Sequence, residues 1–527
     1  MKIEFCLVCL CAAAYLWSAV MSGLSHTHMF QLNSYHGAKH LRWIGKNVGS
    51  IASNLYALTF AAVAVFVGYV TGGAAIRTAI HGIFAVAFCM LALSEVPKKK
   101  AKKPLVFTAR VKRLFGTYLA LHLCVAAVAL VLYFTVPGGW HYAVLFFGDF
   151  LAPLLLLLAN GLNAPAEAAV RRYYINDAKR MLADCPDLKV IGITGSYGKT
   201  SMKFYLTTLL RQKYNVLMTP ESYNTPMGVV KTIRGSLRGY HEIFVCEMGA
   251  KKTGEIRELC DIVSPTEGIV TSIGPQHLES FHSIENIIKT KFELSDAVGG
   301  KAFLNTDNEY IAARVPEGAV RYGTGENTDY RAEVRSVSRK GTKFTVTFPD
   351  GATHDFETAL IGAHNVQNLC GAVAMADHLG VSAEEIRYGL AHIQPVPHRL
   401  QLLEKGAVTI IDDAFNSNPS GCKAALDALA LFEEYKILVT PGMIELGEEE
   451  DALNEAFGAQ AAAVCDYVIA VGKRRADPIA AGLRKAGYPE EQTYVAEDLA
   501  DAMEKAYAIR TDRKKVILLE NDLPDNY

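Results

Sequence analysis

Two glycines, a lysine and four hydroxyl side chains lie within the seven residues 195–201, in the stretch TGSYGKTS. An apolar run, KVIGIT, precedes this stretch and a segment with helical periodicity follows it, so the predicted order is strand, turn and helix. In that order the N–H groups of the turn and the N-terminus of the helix point at an anion. We expect Lys199 to reach the β- and γ-phosphates of a nucleotide and Thr200 to bind Mg²⁺. The predicted phosphate-binding residues are Gly195, Ser196, Gly198, Lys199, Thr200 and Ser201.

The spacing of this turn is tighter than that of the usual phosphate loop. The pattern G-x-x-x-x-G-K-[ST] requires a glycine at position 193, which is Ile193. For the turn taken alone, a glycine-rich turn without a ligand therefore stays open as an alternative. Two later segments favour a nucleotide site, because the strands in YHEIFVCEMG and GIVTSIGPQH run into Glu247 and His277. The carboxyl ends of parallel strands share one edge of a sheet, so we expect a magnesium–nucleotide site at that edge.

The composition restricts the class of protein. A chain of 527 residues is too long for one ordinary core, and its formal net charge of -1 argues against a general nucleic-acid-binding protein. The eleven cysteines are scattered without a disulfide or zinc pattern, which predicts a reducing, cytoplasmic setting for the water-soluble part. Apolar residues dominate the first 160 positions, whereas charged residues are spread through the remainder. The sequence therefore predicts a membrane part followed by a soluble part.

About five apolar stretches in the first part are long enough to cross a bilayer core of about 30 Å. They are placed near residues 3–22, 52–71, 76–94, 114–136 and 140–159. The first is interpreted as a retained helix, with a cleaved signal peptide as the alternative. Lys and Arg concentrate in the loops at 36–47 and 94–113, which places these loops and the end of the fifth span on the cytoplasmic side.

One carboxylate, Asp149, falls inside the fifth predicted span, in FFGDFLAPLLLLL. A carboxylate within a membrane indicates a functional site by default, and a helix-packing contact, for example with His122, is the equal alternative. After the spans, residues 163–188 have helical spacing and four basic side chains. This pattern predicts an amphipathic linker helix next to the membrane.

Eight segments occur in an order that resembles the Mur ligases, a family of ATP-dependent amide-forming enzymes of peptidoglycan assembly that also includes folylpolyglutamate synthetase-like members. They are GITGSYGKTS, EMGAKKTGEI, QHLESF, TKFEL, IGAHNVQNLCGAVA, PVPHRL, IDDAFNSNPSG and PGMIELGEEE. Within the family, the likeness is greatest to the ligases that add D-alanyl-D-alanine to a UDP-linked muramoyl peptide. The resemblance covers about residues 186–480, and membrane spans occupy the place of the family's usual amino-terminal domain.

The resemblance implies a reaction in which a carboxylate attacks the γ-phosphate of ATP and an amine then attacks the resulting acyl phosphate. It implies two Mg²⁺ ions, the first bound by Thr200 and the second by Glu247 and His277. Lys291, in IIKTKFELSDA, matches a lysine that is often carbamylated in the family. Lys289 is close enough to blur this assignment, and an ordinary surface lysine is the alternative.

The resemblance also implies nucleotide contacts from later segments. Asn365 and Asn368 resemble amides that contact adenine or ribose, with helix capping as the alternative. Arg399 resembles an arginine that approaches the phosphates when domains close. Asp413 and Asn416 resemble contacts to ATP and the incoming amine, with turn chemistry as the alternative. The implied catalytic residues are Lys199, His277, Lys291 and Arg399.

The predicted fold class is an α-helical membrane domain followed by α/β domains, namely a nucleotide-binding domain with a parallel sheet and a C-terminal Rossmann-like domain. The predicted boundaries are 1–162 for the transmembrane domain, 163–188 for the linker helix, 189–394 for the ATP-binding domain and 395–527 for the C-terminal domain. Short alternating runs between residues 301 and 365 predict hairpins inside the ATP-binding domain.

The predicted function is ATP-dependent amide-bond formation in the synthesis of cell-wall precursors. The predicted partners are ATP, a carboxylate acceptor that is lipid-linked or UDP-linked, an amino acid or dipeptide, and the membrane, with no nucleic acid. We expect a multi-pass protein of the cell membrane with its catalytic domains in the cytoplasm. The alternatives are a membrane-bound ligase that acts on a lipid-linked or polymeric acceptor outside the main peptidoglycan pathway, a transport ATPase and a non-catalytic scaffold.

Overall fold

The computed structural model describes residues 2–46, 78–79, 82–84, 86–87, 89–90, 104–136, 140–276, 278–406, 408–414, 418–444 and 446–521. The predicted span at 52–71 and most of the one at 76–94 lie outside these residues, as do His277 and Asn416. The contacts divide the chain after Arg172 into two compact units, each of which is considered by itself.

Long apolar helices form the first unit. Its helices are α1 (Lys2–Leu32), α2 (Gly37–Lys46), α3 (Ala109–Thr135), α4 (Trp140–Phe150) and the first part of α5 (Ala152–Ala183). Within the described ranges, three segments are long and apolar enough to cross a membrane: Ile3–Leu32, Ala109–Thr135 and Ala152–Ala183. These segments indicate membrane association, and they overlap the first, fourth and fifth predicted spans.

The fifth span and the linker helix differ from the prediction. Where the sequence suggested helices at 140–159 and 163–188, α4 ends at Phe150 and α5 is continuous from Ala152 to Ala183. Pro153 explains the break, because its ring disfavours helical geometry at the preceding residue and it has no N–H to donate to α4. Proline is tolerated in the first turn of α5, because the backbone N–H groups of a first turn have no acceptor within their own helix. The end of the fifth predicted span and most of the predicted linker therefore form one continuous helix.

Polar side chains meet between the helices of the first unit. The Ser18 hydroxyl on α1 donates to Oδ1 of Asp149 on α4 at 2.8 Å. The Tyr15 hydroxyl lies 2.6 Å from Nδ1 of His122 on α3. Asp149 and His122 are both buried. Among the described residues, Asp149 therefore accepts a hydrogen bond between two packed helices, and its partner is Ser18 rather than His122.

A nine-stranded sheet with the order β2-β3-β1-β4-β5-β6-β7-β8-β9 organises the first half of the second unit. Its strands are β1 (Lys189–Thr194), β2 (Val216–Met218), β3 (Ile243–Glu247), β4 (Glu267–Val270), β5 (Ala302–Asn305), β6 (Val320–Gly323), β7 (Tyr330–Ser338), β8 (Gly341–Thr347) and β9 (Thr353–Thr358). Pairing is parallel from β2 to β7 and antiparallel in the two hairpins that join β7, β8 and β9. The predicted hairpins therefore extend the nucleotide-domain sheet itself.

Helices cover both faces of this sheet, because the central strands are apolar on both sides. The helices are α6 (Lys199–Leu210), α7 (Pro226–Ser236), α8 (Glu255–Val263), α9 (Leu278–Phe281), α10 (Ile284–Ser295), α11 (Glu309–Ala312), α12 (His364–His378) and α13 (Ala383–Ala391). Ile191 and Ile193 of β1 pack in one core with α6, α12 and α13, whereas Val190 packs in the other core with α7, α8 and α10. Both buried faces hold β1 rigidly beneath the predicted phosphate loop.

A six-stranded sheet with the order β10-β11-β15-β12-β13-β14 follows. Its elements are β10 (Gln401–Lys405), β11 (Val408–Asp413), α14 (Pro419–Leu429), β12 (Tyr435–Thr440), α15 (Glu450–Ala462), β13 (Tyr467–Val471), α16 (Lys473–Lys485), β14 (Thr493–Ala496), α17 (Leu499–Ala508) and β15 (Lys515–Glu520). Only β10 among these described strands is antiparallel to its neighbour. The alternation of parallel strands with helices confirms the predicted Rossmann-like α/β class.

Candidate nucleotide-binding site

The predicted phosphate loop connects β1 to α6 near the middle of the nine-stranded sheet, where β1 lies between β3 and β4. Gly195 and Gly198 have φ angles of +154° and +80°, which favour glycine. A Cβ at Gly195 would lie 2.1 Å from Oγ1 of Thr271, and one at Gly198 would lie 2.8 Å from Oδ1 of Asn368. Close approach of neighbouring groups therefore requires glycine at both positions.

The turn after β4 fixes the shape of the loop. The N–H groups of Ser196 and Tyr197 donate to the carbonyl and the hydroxyl of Ser272 at 2.6 and 3.1 Å. The Ser196 hydroxyl donates to the carbonyl of Gly274 at 3.1 Å. Because these two N–H groups already have partners, a phosphate would be bound mainly by the N–H groups at the start of α6, which have no acceptor within the helix.

Lys199 lies across the loop. Its Nζ donates to the carbonyl oxygens of Gly195 and Ser196 at 2.7 and 2.9 Å. Burial lowers the pKa of Lys199 to about 8, an effect that Glu247 opposes and Arg399 reinforces. A polyanion in the loop would add to the negative charge of Glu247 and favour the charged form of this lysine.

Oxygen ligands converge beside the loop at the end of β3. The Thr200 hydroxyl donates to Oε1 of Glu247 at 3.2 Å, and Nδ2 of Asn224 donates to the same oxygen at 3.0 Å. Hydroxyl and carboxylate oxygens suit Mg²⁺, which commonly takes one or two protein ligands and completes its coordination with phosphates and water. Among the described residues there is no group of three or more His, Cys, Asp and Glu side chains that could hold a metal by itself. The donors thus fit a magnesium ion that arrives with a nucleotide.

The two candidate lysines of α10 have different environments. Lys289 is exposed, whereas Lys291 is buried and its Nζ lies 5.9 Å from the centre of the Phe281 ring. Burial lowers the pKa of Lys291 well below its ordinary value, and Lys199 lowers it further, while Glu255 and Glu293 oppose the shift. Of the pair, only Lys291 therefore interacts with the loop.

The two asparagines at the start of α12 have separate contacts. Oδ1 of Asn365 accepts from the Tyr205 hydroxyl at 2.9 Å, and its Nδ2 donates to the carbonyl of Ile361 at 2.9 Å. The N-cap of α12 is Ala363, so neither asparagine has the capping position that was the alternative. The Asn368 side chain lies against Gly198.

Arg399 and Asp413 connect the six-stranded sheet to the loop. Arg399 interacts electrostatically with Asp413, Glu247 and Tyr205, and burial lowers its pKa. Asp413 ends β11, and its Oδ1 accepts from the N–H of Leu400 at 3.2 Å. Burial raises the pKa of Asp413 to about 6, although Arg399 opposes the rise.

A cavity of about 250 Å³ lies beside these residues. Six of its ten lining residues are apolar, and the amide of Asn365 and the guanidinium of Arg399 are the polar groups of the lining that interact with Tyr205 and Asp413. The full lining is Arg339, Lys340, Ala359, Leu360, Ile361, Asn365, Pro395, Arg399, Leu400 and Leu402. A planar apolar group with polar edges, such as a nucleobase, suits a cavity of this kind.

The structure thus brings most of the predicted residues together, while His277 and Asn416 lie outside the described residues. Sequence reasoning missed Lys203, Tyr205 and Asn224, which contact the predicted residues. The lysine and the tyrosine lie four and six residues beyond Lys199 on α6, where the sequence alone does not distinguish a buried lysine from an exposed one.

Comparison with known proteins shows which family models and which relatives the chain matches. The family model for the Mur ligase middle domain matches residues 193–376, and that for the Mur ligase glutamate ligase domain matches residues 398–520. The UDP-N-acetylmuramoyl-tripeptide–D-alanyl-D-alanine ligase of Bacillus subtilis is 32% identical over 276 residues, which cover 51% of this chain and 60% of the relative. The Escherichia coli enzyme of the same name is 33% identical over 297 residues, which cover 54% of this chain and 65% of the relative. The chain therefore spans less than two thirds of the length of these relatives.

Solved structures give the same likeness. MurF from Acinetobacter baumannii superposes with a TM-score of 0.61 at 27% identity, covering 67% of this chain and 78% of that one. The MurF ligase of Thermotoga maritima, in complex with ADP, superposes with a TM-score of 0.59 at 25% identity, covering 67% of this chain and 80% of that one. Residues 1–192 precede the segment that the family models match.

Proposed function

The chain belongs to the Mur ligase family, and from that premise we propose that it is an ATP-dependent ligase that joins an acceptor carboxylate to an amine through an acyl phosphate. The observation that carries the proposal is the convergence of Lys199, Thr200 and Glu247 beside the loop at 195–198. Phosphoryl transfer depends chiefly on positioning and on stabilising charge, and this group of side chains serves both.

ATP would bind with its phosphates on the loop and its base in the cavity lined by Asn365. The N–H groups at the start of α6 and the ammonium of Lys199 would bind the β- and γ-phosphates. Arg399, which belongs to the segment that leads into the six-stranded sheet, would add a second positive charge near the phosphates. Because Arg399 belongs to the part of the chain that contains the six-stranded sheet, closure of this part on the nine-stranded sheet would complete the site.

Mg²⁺ fits the oxygens of Thr200 and Glu247, and it would supply charge neutralisation on the transferring phosphoryl group. Lys291 supports the proposed carbamylation, since its lowered pKa favours the neutral amine that reacts with carbon dioxide. We propose His277 as a further metal ligand and Asn416 as a contact of the incoming amine on the family resemblance. Asp413, near Arg399, would lie where the amine approaches and could accept its proton.

The acceptor is proposed to be the carboxylate of a cell-wall peptide, and the amine a dipeptide. The support is that the curated relatives are named for a UDP-linked muramoyl tripeptide and for D-alanyl-D-alanine. A lipid-linked acceptor is the second candidate. Three apolar helical segments among the described residues lie before the second unit or extend across its start after Arg172. They favour a substrate at the membrane.

We place the protein in the cell membrane as a multi-pass protein with its catalytic unit in the cytoplasm. The support is the length and apolarity of the segments Ile3–Leu32, Ala109–Thr135 and Ala152–Ala183, together with the basic loops of the sequence. ATP is available on that side of the membrane.

The test uses the full chain in detergent with ATP and Mg²⁺. Phosphate release is measured with acceptor alone, amine alone and both, and the product is identified by its mass. UDP-muramoyl tripeptide and a lipid-linked form of the same peptide are compared as acceptors, with D-alanyl-D-alanine as the amine. The expected result is release that requires both substrates and is lost in Lys199→Ala.

Lys213→Ala is the matched control, because Lys213 is exposed beyond the end of α6 and donates to the carbonyl of Gly380. Release of phosphate without an amine would instead indicate an ATPase. Absence of magnesium–nucleotide binding by the wild type would favour a scaffold and would contradict the proposal.

A further inference from the structure

A completely buried lysine lies behind the candidate metal position. Lys203 follows Lys199 by about one turn of α6, and its side chain is 0% exposed. Its Nζ lies 3.1 Å from Oε2 of Glu247, whose side chain is 1% exposed. Desolvation of two buried charges offsets most of their attraction, so such an ion pair is weak evidence of a stabilising role. A geometric role therefore has to be considered.

The two oxygens of Glu247 have different partners. Oε2 is paired with Lys203, whereas Oε1 accepts from Thr200 at 3.2 Å and from Asn224 at 3.0 Å. The N–H of Glu247 donates to Oγ1 of Thr219 at 3.1 Å, which fixes the backbone as well. The carboxylate is therefore held with one oxygen toward the lysine and the other toward the phosphate loop.

Lys203 also binds the segment after β2. Its Nζ donates to the carbonyl of Glu221, a residue with a φ of +42°. A positive φ is costly for a residue other than glycine, and it persists where the surroundings fix it. Glu221 lies between Thr219 and Asn224, which both contact Glu247. One ammonium thus ties the carboxylate to the loop that supplies its other partners.

We propose that Lys203 is a positioning residue for the magnesium–nucleotide site. By holding Oε2 of Glu247 it keeps Oε1 beside Thr200, where a nucleotide-bound Mg²⁺ would be coordinated. The Lys203 side chain is fully buried against Glu247, so it would act on the site through Glu247. The inference rests on the proposed function and deepens it, because it names the group that orients the metal ligand.

The experiment measures the affinity of the full chain in detergent for a fluorescent ADP analogue, in EDTA and again in excess Mg²⁺. Lys203→Met keeps the length of the side chain and removes its charge. We expect the Kd in EDTA to stay within about two-fold of the wild type and the Kd in Mg²⁺ to rise by about ten-fold. Lys213→Met, which removes an exposed lysine near the end of the same helix, should change neither value.

Lys203→Met leaves a buried carboxylate without its ion-pair partner and could fail to fold. The double variant Lys203→Met/Glu247→Gln avoids this difficulty, since it removes both charges. It is compared with Glu247→Gln, in which the buried lysine can become neutral by losing its proton. If Lys203 acts through Glu247, the double variant should match Glu247→Gln within about two-fold in Mg²⁺.

Three outcomes are distinguishable. Equal weakening in EDTA and in Mg²⁺ would show a merely structural role for Lys203 and overturn the inference. A further loss of about ten-fold in the double variant, relative to Glu247→Gln, would show action independent of Glu247 and would also overturn it. If the wild type shows no Mg²⁺-dependent binding at all, the proposed function fails first, and the inference fails with it.

Discussion

The carboxylate of Asp413 should make the stability of the second unit depend on pH in a direction that is unusual for an acid. Burial raises its pKa from 3.8 to about 6, against the opposing effect of Arg399. A shift of about two units corresponds to about 3 kcal/mol. Because the folded chain keeps this proton at pH values where the unfolded chain has lost it, the stability contribution is greatest below pH 4 and falls as the pH rises through 6.

The perturbation is Asp413→Asn, which cannot titrate and retains an oxygen for the N–H of Leu400. Between pH 5 and pH 7.5 the wild type should lose about 1.4 kcal/mol that the variant does not lose, from the two pKa values in the linkage relation. The attraction of Arg399 for the ionised carboxylate is already contained in the pKa of about 6, so it adds no separate contribution to this difference. The free energy of unfolding of the variant, relative to wild type, should therefore rise by that amount.

Pulse proteolysis in urea at the two pH values measures the unfolding of the second unit. Tryptophan fluorescence would not report it, since the three tryptophans, Trp17, Trp43 and Trp140, all precede residue 173. Asp427→Asn is the control, because Asp427 is exposed and pairs only with Lys423 one turn away among the described residues. A difference between Asp413→Asn and wild type that stays constant, or shrinks as the pH rises, would refute the assigned burial of this carboxylate.

Three further variants test the site. Tyr205→Phe leaves Oδ1 of Asn365 buried without its donor, so we expect a loss of about 1–3 kcal/mol in the free energy of unfolding, measured by pulse proteolysis. Gly195→Ala would place a Cβ 2.1 Å from Thr271, and it should abolish binding of the ADP analogue, whereas Gly318→Ala, at a φ of +80° and facing open space, should bind normally. Lys291→Met should unfold at the same or a higher urea concentration than wild type, since burial disfavours the lysine charge, while amine-dependent phosphate release is lost.

The sequence was sufficient where the chemistry is local. The order of strand, glycine-rich turn and helix around Lys199 depends on neighbouring residues, and the structure has it as predicted. Glu247 could be placed beside the loop because parallel strands present their carboxyl ends at one edge. The predicted span at 140–159 overlaps α4 and the start of α5, and the break between these helices comes just before Pro153, where proline removes a helical N–H donor.

Other features depend on contacts between distant segments. Asn365 has no capping role because α12 begins two residues earlier than such a role would need, and its amide instead pairs with Tyr205 from 160 positions away. Lys203 looks like a solvent-facing residue in the sequence, since lysine is seldom buried without a partner. Its burial is explained only when β3 brings Glu247, and the segment after β2 brings Glu221, to the same ammonium.

The electrostatics of the site indicate the charge of its ligand more strongly than any single motif does. The pKa values of Lys199, Lys291 and Arg399 are all lowered. Arg399 disfavours the charged form of Lys199, and Lys199 disfavours the charged form of Lys291. A fold that places cations where they destabilise one another gains nothing in stability from the arrangement, because burial and mutual repulsion both oppose the charges. A triphosphate would add an attraction for the charged forms of Lys199 and Arg399 that opposes both effects, and so would the negative charge that develops on a phosphoryl group or a tetrahedral oxyanion during acyl transfer. Lys291, whose lowered pKa favours the neutral amine, is the group proposed for carbamylation. The same unfavourable cluster that lowers the stability of the fold is therefore what would bind a polyanion and stabilise its transition state.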